Sequence, residues 1–448
     1  MAVVIFTYVL LWGLEGAARK WLPGADQLFY LLRDGLLLIS IAWVAFVVKR
    51  PRRRSRWVVV FWLATLLLVA LGALSVLAET NTVVGAALGA RAYLAPVLLV
   101  LFISQFGTAD SISTIRRAIF LLVMVNLPVV TVQVLSPVGA AINLQVGGDE
   151  SIFVNGGTTV RASGTFSAPA GLLTFVGLGV AVALGGLGSK SERSRSVVSL
   201  LGLLFIAVLS GSRGAILQSL IVLGVFLLIS LIRGSMSSTL RAFGIVAAAC
   251  AVIAASAIAF PTVIDSFRQR FIDASQSEDT SGRILNDAFG FLTAPFVLIG
   301  DGPGSHQIAA VTVTGGQWIE VETLRWTAEL GVIGFALAIF KLGVALWAIA
   351  YLVTRAAAAS MQTVPLVTLL AYTATAGSLT QQPSVQGGVA ILIAATWLSI
   401  KLDARNSLIH GTYADGEQHA MEQSAKTVAS RRAGIRRLAE RSATWPSR

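Results

Sequence analysis

Charge is what this sequence has least of. Lys, Arg, Asp and Glu make up 12% of 448 residues, against 55% hydrophobic residues and a mean hydropathy of +0.78. Soluble domains carry roughly 25% charged residues. An aqueous surface cannot be covered with half that, which excludes a cytosolic or secreted globular enzyme. Cysteine is nearly absent too: Cys250 stands alone, so there is no disulfide framework and no thiolate metal cluster. Of three histidines, His410 and His419 lie in the C-terminal tail, which argues against a zinc site. Alternating polarity, the mark of a transmembrane β-barrel strand, is missing from the apolar runs.

What remains is a chain of long apolar segments. They fall at about 2–14, 29–48, 57–78, 83–104, 118–137, 167–187, 196–210, 215–232, 242–260, 327–353, 363–380 and 388–402. At ~20 residues per span, the apolar content is material for about 12 helices. The expected fold class is an all-α polytopic membrane protein with one large extracytoplasmic loop, about 261–326, between spans 9 and 10. The first segment is short for a span. It is also a poor signal peptide, with no basic residues before it and no small-residue cleavage site after it. Residues 1–402 form the membrane domain. Residues 403–448 form a basic cytoplasmic tail, expected to be disordered or to lie along an anionic leaflet.

The net charge of +12 is unevenly placed. One set of alternate loops holds Lys49, Arg50, Arg52, Arg53, Arg54, Arg56, Arg116, Arg117, Lys190, Arg193, Arg195, Arg233, Arg241 and Arg355, with nine more in the tail from Lys401. The other set holds Arg19, Lys20, Arg161, Arg213, Arg268, Arg270, Arg283 and Arg325. The positive-inside rule makes the first set cytoplasmic. Both termini then lie inside, as an even number of spans requires. Basic residues placed by membrane topology do not point to nucleic acid.

Charges within or beside spans are functional candidates. Arg91 lies inside GARAYLAPVLL, Arg213 in the polar break SGSRGA, and Arg161 at the start of RASGTFSAPAG. Arg283 and Arg325 lie in or at the end of the large loop. Five arginines on the side where few are expected suggest an anionic ligand, and guanidinium suits phosphate through paired hydrogen bonds. Snorkelling to lipid phosphates is the plainer account of any one of them. The large loop adds Glu278 and Asp279 before SGR, then DGPGSH with Asp301 and His306, then Glu320 and Glu322 before Arg325 and Glu329. Glu322, Arg325 and Glu329 are spaced for ion pairs on one helix face. No metal-ligand cluster is visible, although Asp301 leaves a carboxylate-bound Mg²⁺ or Ca²⁺ open. The apolar stretch FLTAPFVLIG (291–300) is too short to span, and its pattern fits either a surface-lying or a re-entrant segment.

In their order, these pieces resemble the O-antigen ligase/polymerase (Wzy-type) superfamily of bacterial membrane glycosyltransferases. The resemblance runs from LEGAARKWLPG and LLRDGLLL through GARAYL, RASGTFSAPAGL and SGSRGA. It continues with SGR (281–283), the GDGPG turn and ETLRWTAELGVIGF, covering about residues 13–340. It implies a metal-independent, inverting glycosyl transfer at the outer face of the cytoplasmic membrane, without a cofactor. The donor would be a glycan on undecaprenyl diphosphate and the acceptor a glycan, lipid or protein. Membrane lipids and other envelope-polysaccharide assembly proteins are the implied partners. Arg213 and Arg283 map onto the family's diphosphate-binding arginines, with Arg91, Arg161 and Arg325 as further candidates. The family's His-Asn pair is not matched: Glu320 and Val321 occupy those positions. Glu320, Glu322 and His306 are therefore the candidate catalytic bases. A multi-span transporter of an anionic solute is the competing reading, and a purely structural envelope partner a third.

Overall fold

A computed structural model describes residues 1–407 apart from 23, 25, 48–55, 147–153, 156–158, 234–235, 263–264, 266–267, 269–271, 273–279, 356–357 and 381. Residues 1–399 form one unit, and residues 400–448 a second. The tail beyond 407, Glu278, Asp279 and Arg270 lie outside the described residues.

The chain is helical, as its apolar runs require. Helices α1 (Ala2–Trp21), α2 (Asp26–Val47), α3 (Arg56–Leu77), α4 (Val83–Phe106) and α5 (Ala109–Leu135) are followed by α6 (Pro169–Gly186), α7 (Arg193–Leu209), α8 (Arg213–Ile232) and α9 (Met236–Ala259). Three short helices, α10 (Thr280–Phe289), α11 (Ile308–Thr314) and α12 (Glu322–Leu330), occupy the large loop. Helices α13 (Val332–Arg355), α14 (Thr363–Ala376) and α15 (Pro383–Ser407) close the bundle. One two-residue antiparallel pair, Val154–Asn155 with Thr159–Val160, is the only strand pairing among the described residues.

Among the described residues, eight helices have the length and apolarity to cross a membrane: α1, α3, α4, α5, α6, α8, α13 and α15. Phe243–Ala259 within α9, and α14, are apolar but shorter. The protein is thus polytopic and membrane-embedded. Helix α6 is the most enclosed, packed against α7, α8 and α14. Its glycines permit this: a Cβ on Gly177 would lie 2.6 Å from Gln218, and one on Gly179 would lie 2.7 Å from Leu203. Small residues at such crossings let helices approach in lipid.

Several expected boundaries move, among them the start of α5, at Ala109 rather than 118. The first span does not stop at residue 14, because α1 runs to Trp21. Glu15 and Lys20, within its last two turns, are buried and engaged inside the bundle. The segment read as 327–353 is two helices, broken at Gly331. There φ is +60°, and a Cβ would lie 2.6 Å from the Leu298 carbonyl oxygen.

Candidate functional site

Two non-helical straps enter the bundle, residues 161–168 largely buried and the second half-buried around the buried Thr380. Irregular backbone at membrane depth needs internal partners, and here polar side chains supply them. In residues 161–168, Lys20 Nζ donates to Gly164 O at 2.6 Å and to Ser163 Oγ at 3.1 Å. Asn126 Oδ1 accepts the Thr165 N–H at 2.9 Å, and Gln133 Oε1 the Gly164 N–H at 2.8 Å. The second strap, residues 377–380 and 382, lies between α14 and α15 and separates two ionic clusters.

The first cluster centres on Arg33, 1% exposed, in the LLRDG run of α2. Its Nη1 donates to Glu15 Oε2 at 3.3 Å and to the Pro383 carbonyl at 3.0 Å; its Nε reaches Asp34 Oδ1 at 3.5 Å. Arg91 Nε approaches the other oxygen of Asp34 at 2.7 Å. Arg19 joins Glu15 at 3.5 Å. Three guanidinium groups and two carboxylates thus meet among the described side chains. Gly387 is required beside them, since a Cβ there would lie 2.5 Å from Arg33 Nη1.

The second cluster is built on α12. Glu322, at the first position of that helix, accepts from Lys341 Nζ at 3.0 Å. Its other oxygen accepts the N–H groups of Leu379 and Thr380 and the Thr380 hydroxyl. Lys341 also donates to Gly377 O at 2.8 Å. Arg325 Nη2 and Trp326 Nε1 both donate to Thr380 Oγ1, at 2.7 and 3.0 Å. Burial pushes the Glu322 carboxyl up, but Lys341, Arg325 and the Thr380 amide together hold it below the ordinary carboxylate value. Two turns on from Glu322, Glu329 accepts from Tyr93 at 2.7 Å and from the His306 amide at 3.1 Å, with Arg325 Nε 4.0 Å away.

The GDGPG turn docks against this cluster. The Asp301 and Gly302 amides donate to the Ala328 and Glu329 carbonyls, and Asn81 Nδ2 donates to Pro303 O at 3.0 Å. Gly302 and Gly304 have φ of +98° and +89°, a region that disfavours side chains. Gly304 lies against Gly89 of α4 with no room for a Cβ on either.

The expected site residues are distributed as follows. Glu322, Arg325 and His306 share the second cluster through Glu329, and Arg91 belongs to the first. The i,i+3 and i,i+4 contacts of Arg325 measure 3.5 Å to Glu322 and 4.0 Å to Glu329. His306 turns both ring nitrogens to acceptors, Asp301 Oδ2 at 2.8 Å and Gln317 O at 2.9 Å, so neither is presented to a substrate in this arrangement. Glu320 is exposed, just ahead of α12, whereas Glu322 is buried with both oxygens engaged. Arg213 is half-buried at the first position of α8, after the N-cap Ser212. Arg161 is half-buried at the head of the first strap. Arg283 lies on α10, and its side chain is outside the described residues. Among the described residues no three of His, Cys, Asp and Glu gather closely enough to hold a metal ion.

Five charged residues of these clusters and straps were not singled out from sequence: Glu15, Lys20, Arg33, Asp34 and Lys341. The signal was present for Arg33, Asp34 and Lys341, because each interrupts an apolar span and the cost of such a charge applies equally to them. Compared with protein families and with curated proteins, the chain matches none.

Proposed function

We propose that the protein is a membrane glycosyltransferase, a polysaccharide polymerase or ligase acting on an undecaprenyl-diphosphate-linked glycan at the outer face of a bacterial cytoplasmic membrane. The observation that carries this reading is the burial of Arg33 and Arg325 on one strap, with Arg91 beside them. Their anchor residues, Pro383 and Thr380, are three apart, so no more than about 11 Å separates them along the chain. Buried guanidinium at a break between spans suits an anionic lipid-linked substrate.

In this reading the chain makes twelve spans with both termini inside, and the large loop faces outward. Arg213 and Arg283 hold the donor diphosphate, and their positive charge stabilises the leaving group as the glycosidic bond breaks. The buried clusters around Arg33 and Glu322 keep the helix ends in place around that charge. Glu320 is the candidate base best supported by geometry, because it is the exposed carboxylate of the three candidates; it would take the acceptor hydroxyl's proton. Arg213→Ala and Arg283→Ala are expected to abolish glycan product while membrane expression persists. Product at the wild-type level from either variant would remove that arginine from the site.

A second reading, an anion transporter, is favoured by the two non-helical straps between the helices, since broken helices at depth are how transporters build binding sites. Anion uptake by proteoliposomes of the purified protein, without glycan transfer, would select it.

A further inference from the structure

The stretch 291–300 is resolved by the backbone rather than by its apolar pattern. Gly290–Leu292 make a single 3-10 turn, and residues 295–300 continue without helix or strand. Phe296, Val297, Leu298 and Ile299 are 73, 43, 69 and 53% exposed. The backbone behind them is fixed. Val332 donates to Leu298 O, and a Cβ on Gly300 would lie 2.3 Å from the Ala328 carbonyl oxygen. The strip is therefore pressed against the junction of α12 and α13, level with the first turn of a membrane-crossing helix.

Two costs bracket where such a strip can lie. Among the described residues, the backbone amides of residues 296–300 meet no acceptor. In hydrocarbon each such group costs several kcal/mol, which excludes re-entry into the lipid core. Four consecutive apolar side chains turned outward are equally unsuited to open water. The headgroup–acyl boundary satisfies both, with side chains in the acyl region and amides facing water and lipid ester or phosphate oxygens. The strip is also continuous with the exposed apolar face of α13, where Val332, Ile339 and Phe340 are 38, 52 and 69% exposed. That face marks lipid as the occupant.

We propose that residues 295–299 are an interfacial anchor that seats the large loop on the lipid surface at the start of α13. This inference is independent of the glycosyl-transfer reading and stands if that reading fails.

The test uses the full-length protein in vesicles of equal parts phosphatidylethanolamine and phosphatidylglycerol, in a Cys250→Ser background. Spin labels are placed at Phe296→Cys and, separately, Leu298→Cys, so that loss of one variant leaves the other. Reference labels at Leu346→Cys, midway along α13, and Gly315→Cys, in an exposed turn, give the hydrocarbon and water limits. Collision with oxygen is compared with collision with a water-soluble nickel complex. The anchor predicts a ratio between the two references at both sites. A ratio equal to that at Gly315 would place the strip in water, and one equal to that at Leu346 in the lipid core; either overturns the proposal. Protection from both reagents would show that protein, such as a second copy of the chain, covers the strip, and would overturn it as well.

Discussion

Arg33 and Glu322 grip one strap from its two ends. Each is buried, and each holds backbone atoms of residues 379–383 as well as an opposite charge. Removing one partner of a buried pair leaves the other charged and desolvated. Arg33→Ala leaves Glu15 with Arg19 alone and the Pro383 carbonyl without its donor, and is expected to cost up to about 3–5 kcal/mol, read as a drop in thermal midpoint in detergent. An unchanged midpoint would show that the cluster contributes nothing to stability. Glu322 makes a pH-dependent contribution. Its folded pKa lies below the ordinary 4.5, so its ionised form contributes stability above that value, and the contribution is lost as pH falls through the folded value. Wild-type protein is expected to lose stability on acidification below about pH 4.5. Glu322→Gln is expected to be less stable at neutral pH and to lack that part of the acid limb. Equal slopes in both proteins would exclude the linkage. Sequence spacing was enough to pair Glu322 with Arg325, because both lie on one short helix. It was silent on Lys341 and Thr380, which meet Glu322 only through the fold.

At the scale of elements, glycine decides where helices end and where the loop docks. The GDGPG turn, unspecific as a motif, is held by Gly302 and Gly304 in left-handed backbone and by the flat face of Gly89. Gly89→Val puts a side chain where the Gly304 amide lies. Overpacking of this kind costs about 1–3 kcal/mol, and displacement of the turn is expected to expose residues 301–316 to added protease. A cleavage rate equal to wild type would show that the turn does not need that contact. The same physics explains which boundaries were legible. Helices ending in polar loops, such as α3, α4 and α6, fall within a few residues of the apolar runs. Helix α1 runs past its apolar segment, where Glu15 and Lys20 meet partners, Arg33 and Gly164, that are distant in sequence. The break at Gly331 inside an apolar run left no compositional trace, since only its backbone conformation marks it.

For the whole molecule, composition alone was sufficient to identify a helical membrane protein, because so few charges cannot cover a water-exposed surface. Sidedness came from the loop cations and belongs to the proposed topology. It predicts that Lys190→Cys, in a Cys250→Ser background, is protected from an impermeant thiol reagent in intact cells, while Gly315→Cys is labelled; the reverse pattern would invert the protein in the membrane. The site was the least legible level. Its candidates were read one residue at a time, whereas the straps that gather them are built from residues 13 to 387 and exist only in three dimensions. Glycan transfer from a lipid carrier is read out by comparing lipid-linked and surface glycans in a deletion strain and its parent. A block is expected. Either single lipid-linked repeats persist while long chains vanish, as for a polymerase, or polymer remains on its carrier and fails to reach its acceptor, as for a ligase. Identical glycan profiles in the two strains would contradict it.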